Sequence, residues 1–195
     1  MNKQHILVDC DGVLLDPVLG FIKWFILNFP NINVTNVIKY DASFISECFL
    51  SFWNSPAFAK IPILKTAKYP IEFLKEKYNI SVVTSCGDDN TKRIARIKNL
   101  EDCFGKNTFK DIYTLPFNKS KKEIYKIYND AIVIDDELNN IIDAKSCNLK
   151  QVFWIKYYPL IKSIAYNKNN KSINRKFPEN NWNNIISNII KEQSR

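Results

Sequence analysis

Four aspartates, two hydroxyl residues and a lysine are the residues of this chain whose types and spacing could do chemistry. Asp9 and Asp11 flank Cys10 in ILVDCDGVLLD and are followed at once by Gly12. Thr84 and Ser85 end the apolar run ISVVTS, Asp135 and Asp136 end AIVIDD, and Lys119 stands between those two runs. An ionised carboxylate moved from water into an apolar interior without a partner is costly, so acids at the ends of oily runs need something to hold them. If they converge, each close pair repels by about 1 to 4 kcal/mol at about 4 Å, depending on local screening. A divalent cation removes that repulsion. With oxygen ligands only, the hard ion Mg2+ is the natural occupant, and it typically keeps several waters and takes substrate phosphate oxygens. The ion and Lys119 together would attract an anion, which points to a phosphoryl group.

Other chemistries are excluded by what the chain lacks. His5 is its one histidine, so histidine triads and multi-histidine metal sites are out of reach. The four glycines, Gly12, Gly20, Gly87 and Gly105, match neither a phosphate-binding P-loop nor a dinucleotide fingerprint. A cysteine phosphatase needs Cys, five residues, then Arg, whereas Cys86 has Lys92 at that place. The five cysteines, Cys10, Cys48, Cys86, Cys103 and Cys147, are an odd and scattered set with no Cys-x-x-Cys pair. That argues against a disulfide framework or a structural zinc and suits a reducing compartment. Lys23 interrupts the longest apolar stretch, so no membrane span is expected, and Asp9 and Asp11 break the only candidate signal region. A cytoplasmic chain is the expectation.

Elements must bring these residues together. HILVD (5 to 9), ISVVT (80 to 84), DIYTL (111 to 115), AIVID (131 to 135) and QVFWI (151 to 155) read as strands, and the first, second and fourth are continuously apolar, as strands covered on both faces are. IEFLKEKY, NTKRIARIKNL and KKEIYKIY between them carry helical spacing. Strands alternating with helices predict an α/β fold, a three-layer, doubly wound parallel sheet. Ligands of such sheets bind at the carboxyl ends of the strands, where the acids, hydroxyls and lysine fall. Residues 16 to 66 are too many for one crossover and read as a small helical cap inserted after the first strand. The expected division is 1–15 and 67–158 for the core and 16–66 for the cap. A polar extension over 159–195 follows, ending in a short helix packed on the core with Trp182 as anchor.

Asp9-Cys10-Asp11-Gly12-Val13, Thr84 after an apolar strand, a lysine before a helix and IVIDDELNN together resemble, in order, the four motifs of the haloacid dehalogenase-like (HAD) phosphohydrolases. The resemblance covers roughly residues 5 to 155. It implies a Rossmann-like core and a phosphomonoesterase working through an aspartyl phosphate, with Asp9 as nucleophile and Asp11 as general acid, then base. Mg2+ would be held by Asp9, the Asp11 carbonyl and Asp136, with Asp135 near or behind. Thr84 and Lys119 would bind the transferring phosphoryl oxygens; Lys121 fits a shorter variant of the lysine motif. Family members that cleave phosphate esters keep an acid two places after the nucleophile, so Asp11 favours a phosphatase over a dehalogenase.

DGVLLDPVLGFIKWFILNFP, SFW and VVTS also resemble the 5′(3′)-deoxyribonucleotidase branch, from which the chain departs at Pro17 and Cys86. This resemblance implies a small-molecule phosphate monoester as substrate, a (deoxy)nucleoside monophosphate, with Ser85, Phe21 and Trp53 as substrate-binding residues. The aromatic cap residues could stack a nucleobase, or they could be cap core. The formal charge of +8, densest at Lys168, Lys171, Arg175 and Lys176, leaves nucleic-acid 3′-phosphate ends as an alternative partner. A catalytically silent binding protein on the same scaffold is the third reading. No membrane partner is expected.

Overall fold

The computed structural model describes residues 3–32, 41–149, 151–156 and 179–193. Six strands, β1 (His5–Val8), β2 (Asn79–Ser85), β3 (Ile112–Leu115), β4 (Ile132–Asp135), β5 (Val152–Ile155) and β6 (Glu179–Asn180), form one sheet. Its order is β3-β2-β1-β4-β5-β6 and every pairing is parallel. The five strands expected from the sequence coincide with β1 to β5 to within one residue at each end. The two-residue β6 was not foreseen.

Alternation along the strands builds the layers. Ile6, Val8, Ile80, Val82, Ile132 and Ile134 join one buried cluster. Leu7, Val83 and Val133 point the other way, into a second cluster with Tyr125 and Ala144. Both faces are therefore covered, as an all-parallel sheet requires. Chain order reverses between β1 and β4, which opens a crevice at their carboxyl ends. Val8 pairs with Val82 on one side and Ile134 on the other. The Asp9 N–H donates to the Ile134 carbonyl at 2.9 Å, which carries the ladder one residue further, to the crevice.

A tight turn follows. The N–H groups of Leu14 and Leu15 both donate to the Cys10 carbonyl, and Gly12 sits at φ 81°, a left-handed conformation that glycine adopts without steric cost. Helix α1 (Pro17–Asn28) then starts on an Asp16 cap that accepts from the Leu19 N–H at 2.8 Å, with Pro17 in the first turn. Proline is pre-set for that position, which accounts for the residue that departs from the nucleotidase pattern. Helix α2 (Ala42–Trp53) is capped by Asp41. A short 3-10 helix, Pro56–Lys60, capped by Ser55, turns the chain back toward the sheet.

Phe21, Phe25 and Phe52 are buried where α1 and α2 meet, with ring centroids 5.7 to 5.9 Å from Phe21. A Cβ on Gly20 would lie 3.2 Å from Phe52, so glycine lets the helices approach. These aromatics belong to the same buried cluster as the sheet residues Ile6 and Val8.

Helix α3 (Lys68–Lys75) precedes β2, and α4 (Asn90–Phe104), capped by Asp89, follows it. Helices α5 (Lys122–Ile127) and α6 (Leu138–Ser146) flank β4. Helix α7 (Trp182–Gln193) packs on α3, and its buried Trp182 donates from Nε1 to the Val13 carbonyl at 3.2 Å. The basic stretch of Lys168, Lys171, Arg175 and Lys176 and most of the expected polar extension lie outside the described residues. No helix among the described residues is long and apolar enough to cross a membrane.

Candidate active site at the carboxyl edge of β1 and β4

Lys121 is the centre of the arrangement. Its side chain is only 3% exposed, and Nζ donates to Asp9 Oδ1 and, at 2.8 Å, to Asp135 Oδ2. Asp135 Oδ1 accepts from the Glu137 N–H at 2.9 Å and from Asn140 Nδ2 at 3.0 Å, so both of its oxygens are engaged. Asp136 is half-buried, and its carbonyl accepts from Trp154 Nε1 at 2.8 Å. Asp9, Asp135 and Asp136 each offer a carboxylate oxygen within 4.8 Å of the others.

Three acids around one lysine leave an excess of negative charge. Burial pushes the Asp9 carboxyl up to about 7, against Lys121, with the Asp135 charge adding to the rise. Burial, then Asp9 and Asp135, hold Asp136 well above the ordinary carboxylate value. Burial opposes the Lys121 charge, but Asp135 and Asp9 outweigh it, so the ammonium is retained. A site of oxygen donors that is short of positive charge fits a hard divalent cation.

Asp11 lies beside this cluster with a different partner. Its Oδ2 accepts from Arg96 Nη2 at 2.7 Å, while its buried Oδ1 has no partner among the described residues. Burial raises the Asp11 carboxyl despite the guanidinium. Thr84 is buried and Ser85 half-buried at the end of β2, where Thr84 stands one residue beyond the level of Asp9 on the neighbouring strand.

Two expectations change. Lys119 is exposed in the turn after β3, where its N–H donates to the Pro116 carbonyl and the next-door Asn118 has φ 62°. Lys121 is the lysine that reaches the acids, because its carbonyl opens α5 by accepting from Ile124 and Tyr125 and thereby sets it against the sheet edge. Phe21, expected against substrate, is 3% exposed and packed among Trp24, Phe25, Phe49 and Phe52, so it is a core residue. Trp53 is half-buried at the end of α2, near Phe58 and Phe117.

Arg96 was missed. The pattern of NTKRIARIKNL invites an inward Ile94, yet Ile94 is 59% exposed and Arg96 is fully buried. The only signal available was a carboxylate, Asp11, in need of a counter-ion.

No protein-family model and no curated protein matches the sequence. Solved structures do match the fold. A haloacid dehalogenase-like hydrolase from Streptococcus pneumoniae superposes with a TM-score of 0.55 at 18% identity, covering 80% of this chain and 86% of that one. A Thermotoga maritima protein described as a β-phosphoglucomutase gives 0.57 at 13% identity, over 97% and 99% of the two chains. A Bacillus subtilis protein described as the HAD hydrolase YfnB, solved with magnesium bound, gives 0.57 at 16% identity, over 84% and 96%. The chain therefore has the HAD-like fold, a Rossmann-like parallel sheet flanked by helices.

Proposed function

We propose that the protein is a Mg2+-dependent phosphomonoesterase of the HAD type. The observation that carries this reading is the meeting of Asp9, Asp135 and Asp136 around the buried Lys121, with Asp11 alongside, at the strand ends where α/β folds bind ligands. Asp9 attacks phosphorus in line with the leaving oxygen and becomes an aspartyl phosphate. Lys121, in the role first expected of Lys119, lies against the attacking carboxylate and offsets the charge of the phosphoryl oxygens as they pass through the transition state. Thr84 donates its hydroxyl to one of those oxygens. Asp11 gives a proton to the departing alkoxide and takes one from the water that hydrolyses the intermediate.

Asp9, the Asp11 carbonyl and Asp136 would hold Mg2+, while Asp135, with both oxygens occupied, braces Lys121 from behind. The bound ion would supply charge neutralisation for the acids and the phosphoryl group. A magnesium-bound fold neighbour supports that choice of ion.

The substrate we favour is a (deoxy)nucleoside monophosphate, on the resemblance of residues 11 to 30, 51 to 53 and 82 to 85 to the deoxyribonucleotidase branch. Ser85 and Trp53 would meet it, Trp53 being the half-buried aromatic at the end of α2. The net charge of +8 favours a second reading, a phosphatase of nucleic-acid 3′-phosphate ends. Phosphate release from deoxynucleoside monophosphates and from a 3′-phosphorylated oligonucleotide, at two salt concentrations and with or without Mg2+, tests both. Mononucleotide turnover that is Mg2+-dependent and lost in Asp9→Asn is expected. Oligonucleotide turnover that falls steeply with salt would favour the second reading. Absence of turnover on either, and on an aryl phosphate, would make the chain a binding protein.

A further inference from the structure

Arg96 is fully buried and pairs with Asp11, and its setting is unusual. The guanidinium makes one hydrogen bond, from Nη2 to Asp11 Oδ2 at 2.7 Å, while Nε and Nη1 have no partner among the described residues. What holds it is aromatic. Cζ lies 4.4 Å from the Phe58 ring centroid and 5.7 Å from that of Trp53, both contributed by the cap. A guanidinium over a ring face is attracted by the ring quadrupole, more so when water is absent. The same helix, α4, is tied to the cap twice more, by Asn99 Nδ2 to the Ile61 carbonyl at 3.0 Å and Lys92 Nζ to Asn54 Oδ1 at 2.6 Å.

We propose that Arg96 is a positioning residue for proton transfer: seated on Phe58 and Trp53 of the cap, it pins Asp11 through Oδ2 and so fixes the carboxyl that meets the leaving-group oxygen. The proposal rests on Asp11 being the acid and base of the reaction. Oδ2 is tied to the guanidinium, while Oδ1 is buried with no partner among the described residues, so the ion pair is what fixes the orientation of the carboxyl. As the bond from phosphorus to the ester oxygen breaks, its electron pair goes to that oxygen, which takes the proton from the Asp11 carboxyl. In the second half-reaction the Asp11 carboxylate takes a proton from the attacking water, while the bond between phosphorus and Asp9 breaks and its electrons return to the Asp9 carboxylate. Arg96 itself exchanges no proton. Through the ring stack, a docked cap is the condition for an aligned acid.

The test uses leaving groups of graded basicity. A p-nitrophenolate leaves without a proton, whereas an alkoxide does not, so loss of an aligned acid must steepen the dependence of kcat/KM on leaving-group pKa. With Mg2+ present, kcat/KM is measured for a series of substituted aryl phosphates and an alkyl phosphate, for the wild type, Arg96→Gln and Phe58→Leu. Misplacing a reacting group by about 1 Å costs on the order of 10²-fold. Arg96→Gln should therefore lose about 10²-fold on the alkyl ester and only about threefold on p-nitrophenyl phosphate, within the range that general acids contribute. Phe58→Leu, which leaves every charge in place, should steepen the same slope by about tenfold at its alkyl end. Should Arg96→Gln fail to fold, Phe58→Leu decides alone. A uniform loss across the series, or a rise in KM with the slope unchanged, would overturn the proposal and make Arg96 a substrate contact or a structural ion pair. A wild type that turns over no ester at all removes the phosphatase reading itself, a result distinct from turnover with an unchanged slope.

Discussion

Replacing Lys121 by methionine tests the electrostatics of the site apart from its chemistry. Nζ lies 2.8 Å from Asp135 Oδ2 and also contacts Asp9, and the whole side chain is 3% exposed. A unit charge pair at that distance is worth roughly 6 kcal/mol at an effective dielectric constant of about 20. The loss on mutation is smaller, because the acids can take up protons instead. Holding one carboxyl neutral at pH 7 against an ordinary value of 3.8 costs about 4 kcal/mol, at about 1.4 kcal/mol per pKa unit. Removing one partner of a buried pair costs about 3 to 5 kcal/mol in general, and the two figures agree. At about 2 to 4 °C per kcal/mol for a chain of this size, metal-free Lys121→Met should melt about 6 to 20 °C below the wild type. Magnesium stabilises in proportion to the logarithm of its concentration over its Kd, and the more negative variant site should bind it more tightly. The increment in Tm on adding Mg2+, followed by circular dichroism at pH 7, should therefore be larger in the variant. A metal-free variant as stable as the wild type, with equal increments, would refute the claim that Lys121 neutralises these acids.

The remaining expectations are narrower. Metal-free protein should lose stability as pH rises from about 4 to about 7: Asp9 holds its proton up to about 7 when folded but only to its ordinary value when unfolded, so the folded state binds more protons across that window. Urea titrations at pH 5 and 7 should show this fall, and saturating Mg2+ should flatten it. Lys119→Ala should keep kcat and KM within about twofold of the wild type, since an exposed turn side chain away from such features has small effects. Phe21→Ala should cost about 3 to 5 kcal/mol in chemical denaturation, as a core phenylalanine does, whereas a substrate platform would raise KM and spare stability.

How much of this was legible without coordinates depended on whether the responsible forces were local. Continuous apolar runs such as ISVVT announce strands covered on both faces, and β2 extends one residue to either side of that run. Acids at the ends of such runs announce the crevice, and Asp9, Asp135 and Asp136 do converge. The sequence left two lysines, Lys119 favoured and Lys121 as the alternative, and motif spacing does not encode the left-handed turn at Asn118 after which Lys119 is exposed and Lys121 stands at the head of α5 against the acids. Arg96 escaped for a related reason. Helical periodicity sorts residues by hydropathy, yet this helix buries a cation because its partner Asp11 lies 85 positions earlier in the chain. The aromatic residues of α1 and α2 could be read as a group but not one by one, since Phe21 and Trp53 are both aromatic and differ in what packs over them.

The most direct test of the account is a rapid-quench reaction with Mg2+ and a substrate carrying a labelled phosphoryl group, followed by mapping of the labelled peptide. A transient label on Asp9, stable in acid, labile in alkali and absent from Asp9→Asn, is the predicted result. Turnover without any protein-bound label, or a label on another residue, would contradict it.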